Sequence, residues 1–248
     1  MTSHSNSNSK NDISFYIDDK FKKNPDVHIL KTFKNKKASP FILGYGGHTY
    51  ELFGFRSWTF PCIVFLSSHF KVSVSDAFIA NSIALMGFIG IFASIFGAKY
   101  CIGKDRARIV SNMGILCFFG SIITAISFLF SFWLALFMLF LYNSLIILDS
   151  GSLTTGTVVN GEPHDRGVRL ALHSMVGFLG GAIGGPVVGF VLDNFGGQAS
   201  HLAWFMSFLC LGLITENSIK VVDTDTIKSS FPSFFEIMNE IGAKLKHT

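Results

Sequence analysis

The stretch IVSNMGILCFFGSIITAISFLFSFWLALFMLFLYNSLIIL, Ile109 to Leu148, contains no Asp, Glu, Lys or Arg, although charged residues make up 15% of the chain. A soluble domain cannot hide that much unbroken apolar surface. A bilayer can, because lipid solvates the side chains while each helix satisfies its own backbone hydrogen bonds. The fold class that follows is an all-α integral membrane protein.

Outward from this stretch, the apolar character extends from Pro40 to Thr215, broken only by short polar loops. Six transmembrane helices are expected, over Pro40–Ser67, Ser75–Ala98, Ile109–Phe130, Phe132–Val158, Gly167–Leu192 and Gln198–Thr215. A crossing needs about 20 residues at about 1.5 Å rise per residue, and the sixth span is short because Glu216 ends it. Residues 1–39 form a polar, Lys-rich leader with no apolar core of the signal-peptide kind. Residues 216–248 form a tail. There Ser233 to Glu236 fits a capping box, and Phe234, Met238, Ile241 and Leu245 recur at helical spacing, which predicts a short amphipathic helix.

Composition agrees. The chain of 248 residues is 49% hydrophobic with 28 phenylalanines, and its mean hydropathy is +0.46, outside the soluble range. The net charge of +4 is not gathered into one basic surface, which argues against nucleic acid as a partner. The basic residues instead mark topology. Lys99, Lys104, Arg106, Arg108, Arg166 and Arg169 fall on the leader's side of the bilayer, and Lys71 alone lies opposite. Both termini are therefore expected to be cytoplasmic, in a plasma (inner) membrane. The four cysteines, Cys62, Cys101, Cys117 and Cys210, have neither zinc-site nor disulfide spacing and read as small packing residues. No metal, cofactor or enzymatic activity is expected.

Chemistry enters with the polar residues inside the spans. Each ionisable group in mid-membrane costs about 2.5–3.5 kcal/mol on insertion scales, so such groups face a cavity or a partner. In the first span Tyr45, His48, Thr49 and Arg56 share an arc of about 100°, with Glu51 about 60° beyond His48. Glu51 lies about 16–18 Å from the cytoplasmic end, and Asp149 of the fourth span, with Asn143 near it, lies at about 15 Å. Two charged helices matched in depth predict a central polar site. The same residues could instead serve as internal packing clamps. A hydrolase using His48 and Glu51 is a third reading, disfavoured because no nucleophile and base stand at matching depth.

The fifth span carries Gly177, Gly181, Gly185 and Gly189 at intervals of four, with Pro186 among them. This predicts a bare-backbone face for close helix packing, which could slide as a cavity opens, and a kink at Pro186. His173 on the same span reads as a packed or hydrogen-bonded histidine. Between the second and third spans, Gly97, Gly103, Lys104, Asp105, Arg106 and Arg108 form a glycine-punctuated basic loop. It follows no strand and lacks a Gly-Lys-Ser/Thr ending, so it is no phosphate cradle.

Taken together, that basic loop, the run Gly184-Gly185-Pro186 followed by Gly189, the segment Asp165 to Arg169, and Gly44 to Trp58 resemble one six-helix half of the major facilitator superfamily. The C-terminal half is the closer likeness, over about Pro40 to Leu213, although Cys101 stands where an acidic residue is usual. The resemblance implies a 3+3 inverted repeat whose first and fourth helices line a central cavity, and a second six-helix half as partner, either another copy or a separate N-terminal half. It implies transport of a small solute by alternating access, coupled to a gradient of H⁺ or Na⁺. Glu51 and Asp149 would be the coupling carboxylates, Arg56 a counter-charge or anion ligand, and Tyr45, His48 and Asn143 polar groups of the cavity. A non-transporting scaffold or remnant of a split transporter gene is the alternative.

Overall fold

The computed structural model describes residue 32 and residues 35–219, with side chains as far as Leu213. The amphipathic helix expected in the tail, and most of the leader, lie outside the described residues. Within them every regular element is helical: α1 Ser39–His69, α2 Asp76–Tyr100, α3 Arg106–Ser127, α4 Phe132–Ile147, α5 Ser150–Val159, a short 3₁₀ turn Pro163–Asp165, α6 Arg166–Asn194 and α7 His201–Ile219. Local chemistry sets the starts. Pro40 opens α1, while Ser75, Asp105 and Ser131 each accept a first-turn N–H, from Phe78 (3.1 Å), Arg108 (3.2 Å) and Leu134 (3.2 Å).

Four segments are long and apolar enough to cross a membrane: Asp76–Tyr100, Arg106–Ser127, Phe132–Val159 and Pro163–Asn194. The expected count of six is not met by length and composition. α1 spans 31 residues but is diluted by His48, Glu51 and Arg56, and the apolar part of α7, His201–Leu213, is short. The fourth span is not one continuous helix. It breaks at Leu148 and Asp149 between α4 and α5, where Asp149-Ser150-Gly151 offers the backbone alternatives to helix.

α1 is the central element, packed most extensively on α6 and also touching α4, α5 and α7, while α3 pairs with α7. Behind α1, Phe55, Tyr142, Phe128 and Phe208 form an aromatic cluster with ring centroids 5.1–6.3 Å apart. The outside is apolar: Phe88, Phe92 and Phe96 line the outer face of α2, and Phe178 and Phe190 project from α6. Against lipid such side chains need no partner, so what holds helix to helix is close approach and interhelical hydrogen bonding.

The α1–α6 crossing has both. Its tightest points are Gly180 and Gly184, where an added Cβ would collide with the carbonyls of Gly46 and Tyr50. The four glycines picked out by their spacing lie one step to the side. Gly177 is covered by the Tyr45 ring, Gly181 by Phe53, Gly185 by Ser57 and Gly189 by Trp58. They seat side chains, whereas Gly180 and Gly184 seat backbone. Thr49 Oγ1 donates to the Gly177 carbonyl (2.7 Å), and Trp58 Nε1 to that of Gly185 (2.8 Å). α6 runs from Arg166 to Asn194 as one helix with Pro186 inside it.

Candidate functional site

The charged residues of α1 separate by direction. Glu51 is 1% exposed and turns toward α3 and α4, where Tyr142 Oη donates to its Oε1 at 2.5 Å and Cys117 Sγ approaches the same oxygen at 3.3 Å. His48, one turn earlier, turns toward the break between α4 and α5. Its Nδ1 lies 2.8 Å from Asp149 Oδ1, an ion-pair contact whose angles fall outside hydrogen-bond geometry. His48 also interacts electrostatically with Glu51, so both carboxylates belong to one interior. Asp149 occupies the N-cap position of α5 yet makes no cap bond. Its side chain is directed at His48 instead.

Around this pair the polar lining continues. The Tyr45 ring stacks on His173 (centroids 3.7 Å apart) and on His48 (5.6 Å). His173 meets Thr157 Oγ1 through Nδ1 (3.0 Å) and Thr154 Oγ1 through Nε2 (3.3 Å). A run of polar groups thus extends from Tyr142 on α4, through Glu51, His48 and Asp149, to Tyr45, His173 and Thr157. Asn143 stands apart from it, donating through Nδ2 to the Met86 carbonyl of α2 (2.8 Å). That bond ties α4 to α2.

Glu51 and Asp149 are both nearly unexposed and lie on packed partners, with tyrosine and thiol against Glu51 and imidazole against Asp149. A void of about 10 Å³ lies elsewhere, among Gly54, Phe55, Trp58 and Trp204, and holds about one water at most. Arg56 shares the azimuth of Tyr45, but it is exposed, and among the described residues it pairs with neither carboxylate. α6 crosses α1 obliquely, so its contacts move from Tyr45 and Thr49 to Phe53 to Ser57, advancing about 40° with each four residues. By the level of Arg56 the crossing has moved past it.

The basic loop is a structural turn. Gly97 lies against the Leu148 carbonyl at the α4–α5 break, with no room for a Cβ. Gly103 adopts φ +71°, Lys104 Nζ sits 3.5 Å above the Tyr100 ring, and Asp105 both caps α3 and faces Arg108 Nε at 3.7 Å. Arg106, the first residue of α3, is half-buried. Ser152 Oγ donates to the Gly97 carbonyl (3.2 Å) and lies 3.1 Å from Cys101 Sγ, which gives that cysteine a polar neighbour.

Sequence reading passed over Tyr142 and Arg169. Tyr142 is the one tyrosine in the uncharged run Ile109 to Leu148, and a lone hydroxyl there must find a partner. Arg169 counts in the sequence as a loop charge, but it is 1% exposed. Its guanidinium donates to the carbonyls of Thr157 (3.0 Å), Val158 (3.0 Å) and Glu162 (2.8 Å), closing the end of α5. A cation satisfying the last carbonyls of a helix also complements the negative end of its dipole.

No family model matches the chain, and no solved structure matches it. One curated protein, a 3-phosphoshikimate 1-carboxyvinyltransferase of Paramagnetospirillum magneticum, is 45% identical over 40 residues, which are 16% of this chain and 9% of that protein. The chain thus spans under a tenth of that relative's length, and so short a likeness carries no fold or activity across.

Proposed function

We propose that the chain is a component of a membrane solute carrier working by alternating access, one six-helix half with both termini cytoplasmic, paired with a second half across the outer face of α1 and α6. The observation that carries this reading is Arg56. It sits near the middle of the long α1 and points outward, beside exposed Phe53 and Phe60. If α1 crosses the bilayer, lipid is a poor neighbour for that guanidinium, and a water-filled cleft between two halves is a good one. An arginine at mid-depth suits an anionic solute, which its planar fork can hold through two hydrogen bonds. The buried run behind it, Glu51, His48 and Asp149, supplies groups able to take up and release a proton as the halves rock. The break at Asp149 supports the same reading, because interrupted helices recur where carriers bind substrates.

The test is proton flux. Proteoliposomes holding the chain with a candidate partner half, and a pH dye inside, are challenged with carboxylate and phosphate solutes. Wild type should move protons with a subset of them, and Arg56→Gln should abolish the response while inserting normally. Flux at the wild-type rate in that variant would remove Arg56 from the pathway.

A second reading has its own support: Glu51 accepts from Tyr142 and Asp149 lies against His48, as clamps in a non-transporting scaffold would. It expects Glu51→Gln to leave every flux unchanged and to alter stability alone.

A further inference from the structure

We propose that His69 and His201 form a transition-metal site that staples the end of α1 to the start of α7. His69 is the last residue of α1 and His201 the first of α7. The turn after α1 and the Gly196-Gly197 turn before α7, both with positive φ (Lys71 54°, Gly196 107°, Gly197 77°), bring these distant positions together. His201 Nε2 lies 3.1 Å from both ring nitrogens of His69, with the rings nearly perpendicular and their centroids 4.1 Å apart. Metal–imidazole bonds run about 2.0–2.1 Å, so two imidazoles on one cation hold their nitrogens about 3 Å apart. His201 Nε2 is equidistant from both nitrogens of the nearly perpendicular His69 ring, so the two rings are close enough to share a cation once the His69 ring turns. A rotation of the exposed His69 ring about Cβ–Cγ aims one of its nitrogens at the cation.

The surroundings favour this over a chance meeting of two rings. Among the described residues neither imidazole bonds to a carbonyl or carboxylate, and His201 Nδ1 has no partner. Both rings are held by aromatics: Phe65 lies along His69 (5.9 Å, 27°) and edge-on to His201 (4.9 Å, 72°), and Phe70 meets His69 edge-on at 4.8 Å. Neutral imidazole nitrogens select Cu²⁺, Ni²⁺ or Zn²⁺ over Mg²⁺ or Ca²⁺. Among the described residues no group of three or more His, Cys, Asp or Glu gathers, so protein supplies two ligands here and water the rest. Such a site is open and exchangeable rather than a closed structural centre.

A reporter is built in. Trp204, one turn after His201, stacks against Phe65 at 5.9 Å, within quenching range of a paramagnetic cation. The full chain in detergent is titrated with Cu²⁺ while tryptophan emission is followed, and its melting point is measured with and without Zn²⁺. Wild type should show saturable quenching and a Zn²⁺-dependent rise in melting point, with Mg²⁺ giving neither. His69→Ala and His201→Ala should each raise the half-saturating Cu²⁺ concentration by about 10-fold or more and cancel the Zn²⁺ effect, whereas His164→Ala, at an exposed histidine, should change neither. Because His69 is exposed, its replacement leaves the fold intact and suffices alone should His201→Ala lose helix content. Quenching that never saturates, or that both substitutions leave unchanged, overturns the proposal.

Discussion

Tyr142 and Glu51, ninety-one positions apart in sequence, are joined by a 2.5 Å hydrogen bond in which the phenol donates to the carboxyl oxygen. The distance is that of a hydroxyl–carboxylate bond assisted by charge. It pins α4, from the most apolar stretch of the chain, to α1, the most polar of the long helices, and both side chains are almost wholly out of contact with solvent.

Removing the phenol therefore leaves Glu51 Oε1 with the weaker Cys117 thiol at 3.3 Å in its place. Tyr142→Phe should lose about 1.5–3 kcal/mol, the range for a hydrogen bond to a charged group, seen as a lower melting point in detergent. Glu51→Gln should lose less, because an amide oxygen still accepts from Tyr142. The double variant should fall short of the sum of the singles. Strict additivity would mean that the two groups do not interact.

Arg169 makes a sharper case. Its three bonds to the Thr157, Val158 and Glu162 carbonyls use the breadth of a guanidinium, which a single ammonium point cannot reproduce. Arg169→Lys should thus behave more like Arg169→Ala than like wild type, each losing at least about 2–3 kcal/mol, with proteolysis at the α5–α6 connection rising in both. Full stability in the lysine variant would reduce the residue to a topology charge.

These two residues show where sequence reading stops. The four long apolar segments were legible because uncharged runs are long, which is a local signal. The approach of Glu51 to the same interior as Asp149 was also legible, because depth along a helix is only a count at fixed rise. What surrounds each carboxylate was not. That depends on how helices rotate against one another, so Tyr142 and Cys117 could fill a space that depth alone left open. The surroundings of Arg56 were not legible for a related reason: a shared azimuth guarantees a shared environment only if the neighbouring helix runs parallel, and α6 does not.

The α1–α6 crossing yields a contrast within one helix. At Gly184 an added Cβ meets the Tyr50 carbonyl and the Gly54 nitrogen (2.9 Å), both backbone and unable to rotate aside. At Gly167, at the start of the same helix, nothing lies within 4 Å. Gly184→Ala should separate the helices and lower the yield of monodisperse protein in detergent. Gly167→Ala should be neutral or stabilising by up to about 1 kcal/mol through helix propensity. Equal tolerance at the two sites would show that the close approach does not hold the bundle together.

The contact between His48 and Asp149 allows the clamp and the proton site to be told apart. Breaking a buried ion pair from one side leaves an uncompensated charge and costs about 3–5 kcal/mol, whereas replacing both members with apolar residues of similar volume is often neutral or stabilising. His48→Phe and Asp149→Leu should each lower the melting point, and the double variant should recover much of the loss. Singles that melt no lower than the double would show that no charge is paired there. If the contact is only a clamp, the recovered double variant keeps whatever flux the wild type has. If the pair carries the coupling proton, it folds and inserts yet moves none, because stability has been restored without the groups that titrate. Pairing melting with pH-dye flux on this one variant separates holding helices together from moving protons between them.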